Sequence, residues 1–369
     1  MPAYFETRSR IVGAVAIVAS LATFMLRIAG AEGVAIFCVS AVGLAGLAAL
    51  VGESTNQLGH RLGPGATGVL QSALGNLPEL FIGIFALRAG LVDVVRSALV
   101  GSILANTLLV LGLAFIAGGL RHGPQKFGTD QTKMMATLLV LAVAAMAIPT
   151  IATAPGGPAH GHETELSVVV SIVLLAVFAA SLPFSLHRGV VVGSADSDRS
   201  GDGGTDGGAR AALWPMPLAV GTLVAAGVGA AFVSDWFVEA LKPAMDSLGM
   251  SQAFAGLVVV AIAGNAVENV VGIQAMLADR GDLAISLILN SSLQVALALT
   301  PALVILSLLL GGVALTLTLT PLLIAALALA TVLVALVVID GESTWLEGLA
   351  LIGLYVIVAA SVWWGAPIA

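Results

Sequence analysis

Two glutamates in apolar surroundings are the residues of this sequence best placed to do chemistry. Glu79 and Glu268 each end the pattern Gly-Asn-x-x-Glu, at residues 75–79 and 264–268. An ionised carboxylate in the middle of a membrane costs about 2.5–3.5 kcal/mol on insertion scales. No lysine or arginine lies at the depth of either glutamate in the span assignment given below. We therefore predict that the partner of these carboxylates is a bound cation or a proton.

Oxygen-bearing side chains accompany both copies of the pattern. Asn76 and Asn265 lie three residues before their glutamates, which is about one helical turn. The next span adds further polar residues in each copy, which are Ser102 and Asn106 in the first and Asn290, Ser291, Ser292 and Gln294 in the second. Such a set suits a hard cation such as Ca²⁺, which takes about 6–8 oxygen ligands. The set contains no histidine or cysteine, which argues against Zn²⁺ or Cu⁺.

Helix-weakening residues lie next to both glutamates. Gly75 and Gly264 lower helix stability at the start of each pattern, and Pro78 removes a backbone donor in the first copy. We expect locally opened helices here, with backbone carbonyls turned towards the cation.

The composition places these residues in a membrane. Hydrophobic residues make up 59% of the 369 residues, charged residues 9%, and the mean hydropathy is +1.08. Soluble chains carry roughly 25% charged residues, so this chain uses lipid as part of its solvent. A span needs about 20 mostly apolar residues. That rule predicts eleven transmembrane helices, near 11–30, 34–52, 66–88, 97–120, 134–152, 166–187, 214–235, 252–278, 283–310, 313–339 and 345–364.

The basic residues predict the orientation. With a cytoplasmic amino terminus and alternating spans, ten lysines and arginines fall on the cytoplasmic side and four outside, as the positive-inside rule requires. We predict an integral protein of a prokaryotic-type plasma membrane whose carboxyl terminus lies outside.

No basic stripe suggests a nucleic-acid partner. The predicted partners are the lipid bilayer and transported cations, with no cofactor, and the oligomeric state is left open.

The two glutamate patterns belong to an internal repeat. Sliding the sequence over itself by 189 residues aligns residues 75–106 with the second copy, with 11 identities over 32 positions. We predict an N-terminal helix (1–33), a first five-helix repeat (34–188), an acidic flexible cytoplasmic linker (189–212) and a second five-helix repeat (213–369). Five spans per repeat put the two copies in opposite orientations, a design common in secondary transporters, with the substrate site at the repeat interface.

These motifs resemble the cation/proton exchanger branch of the calcium/cation antiporter superfamily. The likeness rests on the two Gly-Asn-x-x-Glu copies, each followed one span later by a serine-containing polar cluster, and nearly the whole chain shares the layout. The resemblance implies an inverted-repeat fold in which Glu79 and Glu268 bind Ca²⁺ or H⁺ in alternation. By position, the resemblance also implies that Asn76, Asn265, Asn106 and Gln294 are neighbours of the two glutamates.

The sequence also departs from that family. Relatives often carry a glutamate where this chain has Asn56, and here Glu53 lies one turn earlier. Asn269 replaces a frequent histidine after the second-copy glutamate, and Asn290 replaces a glycine. Glu53, Asn56 and Asn269 are therefore candidates for gating or access to the central pair.

Three functions remain open from the sequence. The first is Ca²⁺/H⁺ antiport by alternating access, in which a proton and the cation compete for the same carboxylates. The second is Na⁺ or K⁺ exchange for H⁺ on the same scaffold. The third, from another class, is an intramembrane enzyme with paired carboxylates, although no Gly-Asp motif occurs inside a predicted span. The buried, repeat-related pair favours a gated carrier over an enzyme or a channel.

Overall fold

The computed structural model describes residues 7–62, 74–187 and 214–364, almost all of them helical. Within the described residues, seven helices and one short strand lie before residue 188. They are α1 (Thr7–Ile28), α2 (Gly33–Leu62), α3 (Leu77–Arg88), α4 (Val92–Leu104), α5 (Leu111–His122), β1 (Gln125–Lys126), α6 (Thr129–Ala152) and α7 (Glu163–His187). A π-helical turn, π1 (Ala105–Val110), joins α4 to α5 without a break. The predicted linker, 189–212, lies outside the described residues.

The second half repeats this character with more interruptions. Its elements are α8 (Met216–Leu248), α9 (Gln252–Phe254), π2 (Ala255–Val260), α10 (Ala261–Gly264), α11 (Ala266–Leu277), α12 (Gly281–Gln294), π3 (Val295–Leu299), α13 (Thr300–Leu310), α14 (Pro321–Val337), β2 (Glu342–Ser343) and α15 (Trp345–Trp363). The two short strands pair antiparallel, with Gln125 opposite Ser343. They join two loops and add no sheet layer to the bundle.

The helices fit the predicted class, an all-α polytopic membrane protein. Within the described residues, eight helices are long and apolar enough to cross a membrane, and two shorter apolar helices cover Gln252–Gly264 and Pro321–Val337. The count of eleven spans and the orientation of the termini remain predictions. Two predicted spans differ in detail, since 252–278 is divided at Asn265 and 313–339 becomes helical only from Pro321.

The internal repeat is also visible in the backbone, at positions where the two copies differ in sequence. Adding the offset of 189 to π1 (105–110) gives 294–299, which coincides with π3 to within one residue. The same offset relates Gly90, with φ of 77°, to Asp279, with φ of 58°. Asp279 is the one non-glycine residue with positive φ in the described chain, and aspartate tolerates this conformation better than most residues. Equivalent helix ends and equivalent π-turns therefore recur in both copies.

Two compact units emerge from the packing. The first comprises Met1–Ile82 and Ser181–Ala244, and the second comprises Gly83–Ala180 and Met245–Ala369. Each unit takes elements from both halves of the chain. The division into two five-helix repeats, 34–188 and 213–369, remains a prediction.

A non-helical segment, residues 311–320, lies in the second unit between α13 and α14. Gly311 ends α13 with φ of 66°, and Thr320 caps α14 by accepting from the Leu323 amide. Leu315, Leu317 and Leu319 are buried, so their peptide groups need partners inside the protein. Those partners are side-chain hydroxyl groups. The amide of Leu315 donates to Ser307 Oγ (2.9 Å), that of Leu317 to Ser167 Oγ (2.9 Å) and that of Leu319 to Thr150 Oγ1 (2.8 Å).

Thr150 is expected to be a strong determinant of this segment's stability. Its hydroxyl donates to the Leu317 carbonyl at 3.0 Å and accepts from the Leu319 amide. Thr150→Val leaves both backbone groups without that partner, at a cost of about 1–3 kcal/mol for each unsatisfied buried group. Thermal unfolding of the purified protein measures the loss.

Thr331→Val is the matched control for Thr150→Val. Thr331 is also buried, but its hydroxyl donates only to Leu327 in its own helix. Equal shifts in melting temperature for the two variants would contradict a special role for Thr150.

Candidate functional site

Glu79 lies in the first turn of a helix that starts close to it. Residues Gly75 and Asn76 form a turn, α3 begins at Leu77, and Glu79 is its third residue. Asn76 and Glu79 are buried, with 7% and 8% of their surface exposed. Pro78 occupies the second helical position, where the missing amide costs no intrahelical hydrogen bond. The break predicted from Gly75 and Pro78 thus coincides with a helix start.

The second copy has the same backbone arrangement. Helix α10 ends at Gly264, Asn265 leaves the helical region with φ of −91° and ψ of 16°, and α11 begins at Ala266. Glu268 is therefore the third residue of its helix, as Glu79 is of α3. The side chains of Glu268 and Asn269 lie outside the described part of the structure.

A helix start is a favourable environment for a carboxylate. The first amide groups of a helix have no intrahelical partner, and the helix end carries about half a positive charge. Both glutamates lie within this first turn, where the effect is strongest. Interrupted helices whose starts face the substrate are a recurrent feature of transporter sites. The repeat thus places two glutamates at equivalent positions, each in the first turn of a helix.

Asn106 joins polar residues of both sequence copies within the second unit. Its Nδ2 donates to Asn265 Oδ1 at 3.2 Å and to Ser291 Oγ at 2.9 Å. Asn265 in turn donates through Nδ2 to the Ala261 carbonyl at 2.9 Å, which holds the last turn before the helix break. Three predicted site residues from π1, the α10–α11 break and α12 are therefore in direct contact.

Buried acceptor oxygens accompany this cluster. Asn106 and Asn290 expose 1% and 6% of their surface, and the Oδ1 atom of each has no hydrogen-bond partner. A buried polar atom left unpaired is rare in folded proteins and calls for an explanation such as an ion or a ligand. Both atoms are neutral carbonyl-type oxygens, which are ordinary ligands of hard cations.

The other predicted site residues vary in their placement. Ser102 and Gln294 are buried in the second unit, and Ser292 donates to the Ile288 carbonyl of its own helix at 3.2 Å. In the first unit, Asn56 is exposed, and Glu53 Oε1 accepts from Gln57 Nε2 at 2.9 Å. Sequence analysis missed the contact with Gln57, although the spacing of four residues on one helix predicts that the two side chains are neighbours.

Asn106→Leu is expected to destabilise the second unit. It removes the donor of both Asn265 Oδ1 and Ser291 Oγ, and a lost partner for a buried polar group costs about 1–3 kcal/mol. A drop in the melting temperature of the purified protein is the measurement. Thr107→Val is the control, because Thr107 is a buried neighbour whose hydroxyl donates only to Ile103 in its own helix. A stability loss no larger than that of the control would contradict the bridging role of Asn106.

Sequence comparison finds relatives along most of the chain. A Ca(2+)/H(+) antiporter of Synechocystis sp. is 33% identical over 336 residues, which cover 88% of this chain and 89% of that protein. A Ca(2+)/H(+) antiporter of Bacillus subtilis is 31% identical, with coverage of 88% and 90%. Because these matches span both copies of the glutamate pattern, the resemblance found in the sequence is confirmed.

The fold and a family match agree with the relatives. The solved structure of native YfkE, a Ca2+/H+ antiporter protein, superposes with a TM-score of 0.80 at 28% identity, over 96% of this chain and 99% of that one. Residues 32–187 and 218–364 match the family described as sodium/calcium exchanger protein. The chain therefore belongs to the sodium/calcium exchanger protein family and is a membrane transporter, not an enzyme.

Proposed function

We propose that this protein exchanges Ca²⁺ for H⁺ across the membrane by alternating access, with Glu79 and Glu268 taking the cation or protons in turn. The observation that carries this proposal is the equivalent placement of the two glutamates, each third in a helix that starts at a break. Relatives over most of the chain are named as Ca(2+)/H(+) antiporters. These names lend no support to the alternative of Na⁺ or K⁺.

The donor chemistry supports a hard cation. The polar side chains buried near the repeat centre offer amide, hydroxyl and carboxylate oxygens, as Ca²⁺ prefers. Among the described residues, no three histidine, cysteine, aspartate or glutamate side chains form a group that could hold a metal. The proposed ligands are the two glutamate carboxylates together with neutral amide and hydroxyl oxygens.

Competition for the same carboxylates supplies the coupling. Burial favours the protonated, neutral carboxyl group, whereas a nearby cation favours the carboxylate. Protons or Ca²⁺ each neutralise Glu79 and Glu268, but the empty pair would carry two charges in a membrane-spanning region, which is costly. The unloaded site is thereby disfavoured during the conformational change, and movement of one ion requires return of the other.

The remaining predicted residues take supporting roles in this proposal. The supporting ligands are Asn76, Asn265, Ser102, Ser291, Asn106 and Asn290, and the unpaired, buried Oδ1 atoms of the last two support their assignment. Ser292 and Gln294 complete the polar stretch of the second copy. Glu53, Asn56 and Asn269 are assigned to gating or access.

The cation dependence of proton flux tests the proposal. Purified protein in liposomes carrying a pH-sensitive dye is exposed to Ca²⁺, Na⁺ or K⁺ under a defined pH gradient. We expect Ca²⁺ to drive proton movement and the other two cations to drive little. Proton flux driven by Na⁺ or K⁺ and not by Ca²⁺ would refute the assignment of the ion, and flux of Ca²⁺ without protons would refute exchange.

A further inference from the structure

A chain of hydrogen bonds runs along one face of α2 in the first unit. Gln57 Nε2 donates to Glu53 Oε1 at 2.9 Å, and Gln57 Oε1 accepts from the backbone amide of Trp214 at 3.1 Å. The carbonyl of the same Trp214 accepts from the Arg61 guanidinium group. Positions 53, 57 and 61 are four apart, so their side chains share one helix face. Both halves of the Gln57 amide are therefore engaged.

Trp214 is fixed by packing as well as by these hydrogen bonds. It exposes 1% of its surface and packs in a cluster with Leu58 and Ala219. It is also the first described residue after 188–213, and α8 begins two residues later at Met216. The peptide group of Trp214 thus enters α8 in a position set by α2.

Glu53 is the residue in this chain of contacts that calls for a functional reading. It is the sole acidic residue of α2 and lies inside the apolar stretch Gly33–Gly59. An acidic group within such a stretch is costly and marks function by default. Gln57 donates to it, and the free rotation of the Gln57 amide is in turn limited by Trp214. The side-chain direction of Glu53 therefore depends on a contact made across 157 residues of sequence.

We propose that Gln57 is a positioning residue, which orients the Glu53 carboxylate and is itself held by the peptide group of Trp214, so that the start of α8 sets the rate of transport through Glu53. The proposal rests on the exchange function proposed above. It assigns a part in transport to Gln57 and Trp214, which do not belong to the site of the central glutamates. It assigns to Glu53 an effect on the rate of the transport cycle and none on the binding of Ca²⁺.

A double-mutant cycle tests whether Gln57 acts through Glu53. Gln57→Met, which is similar in length but cannot hydrogen-bond, is expected to lower the maximal rate of Ca²⁺-driven proton flux about fivefold in the wild-type background. In a Glu53→Gln background the same change is expected to have an effect of less than about twofold, because the carboxylate to be positioned is gone. The half-saturating Ca²⁺ concentration should stay constant. Equal losses in both backgrounds would overturn the proposal.

The swapped pair Glu53→Gln with Gln57→Glu separates positioning from a structural tie. It keeps a donor and an acceptor at positions 53 and 57 but moves the carboxylate one turn along α2. Recovery of the wild-type rate would show that only the tie matters and would overturn the proposal, whereas a persistently low rate supports it. Thr55→Val is the control on the same helix, because Thr55 is buried and its hydroxyl donates only to Val51.

A measurement without transport keeps this inference separate from the proposed function. Hydrogen exchange should show faster exchange around Trp214 in Gln57→Met and near wild-type protection in Gln57→Glu, which retains an acceptor for the Trp214 amide. Unchanged protection in Gln57→Met would refute the contact itself. If the wild type transports Ca²⁺ and protons and Gln57→Met does so at the same rate, the positioning role alone is refuted. If the wild type shows no Ca²⁺-driven proton flux, the proposed function is refuted.

Discussion

Glutamine in place of Glu79 or Glu268 is expected to abolish Ca²⁺-coupled proton flux. Each change keeps the size of the side chain but removes the charge that a bound cation needs and the group that takes a proton. Loss of one partner from a buried ionic contact costs about 3–5 kcal/mol, which corresponds to a loss of about a hundredfold or more in affinity. Flux by purified protein in liposomes, normalised to the amount of folded transporter, is the measurement.

Two controls make the glutamine result interpretable. Glu165→Gln removes an exposed acidic residue in α7 whose side chain lies 3.9 Å from His162, and it should leave flux unchanged. Size-exclusion profiles and melting temperatures of Glu79→Gln and Glu268→Gln should remain near wild type, because glutamine has nearly the same size and shape as glutamate. Exchange at near wild-type rates by either variant would contradict the role assigned to that glutamate.

A side chain at Gly101 or Gly256 is expected to prevent stable folding of the second unit. A Cβ atom on Gly101 would lie 2.5 Å from the Leu257 Cα atom and overlap the Leu257 carbonyl oxygen. One on Gly256 would lie 2.8 Å from Ser97 Cβ and 2.9 Å from the Ala98 amide nitrogen. These contacts are with backbone or with atoms next to it, so a rotamer change cannot relieve them. Such overpacking costs about 1–3 kcal/mol or more, and Gly101→Leu should exceed this range.

Gly353→Ala provides the matched control for these glycines. Gly353 is also inside a helix of the second unit, in α15, but a Cβ atom there would meet nothing within 4 Å. We expect its melting temperature to equal or slightly exceed that of the wild type, because alanine favours a helix over glycine. Equal yield and stability of Gly101→Leu and Gly353→Ala would show that the α4–π2 crossing is not tightly packed.

The sequence was sufficient to predict the helical membrane class and the placement of the two glutamates beside helix breaks. Both inferences use strong signals, since charged residues are rare in apolar spans and Gly-Asn-x-x-Glu occurs twice at a fixed offset. The family resemblance drew on the same residues and is confirmed by relatives over most of the chain.

Features that depend on tertiary hydrogen bonds were not predictable from hydropathy. Residues 313–320 look like the start of a span, yet they are not helical. Hydroxyl groups of Ser307, Ser167 and Thr150 bind their backbone amides in place of helical partners. The composition of π1 and π3 does not distinguish them from ordinary α-helix, so these turns could not be predicted, although π-turns are frequent at functional sites. Likewise, the partners of Asn106 lie more than 150 residues away along the chain, one at a helix break and one in a helix.

Proton release on Ca²⁺ binding tests the central claim, that one pair of carboxylates binds both ions. Purified protein in a weakly buffered solution is titrated with Ca²⁺ while the pH is followed, first for the wild type and then for Glu79→Gln with Glu268→Gln. The account predicts that the wild type releases protons as Ca²⁺ binds and that the doubly substituted protein releases none. Saturable binding of Ca²⁺ by the wild type without proton release at any pH would contradict it.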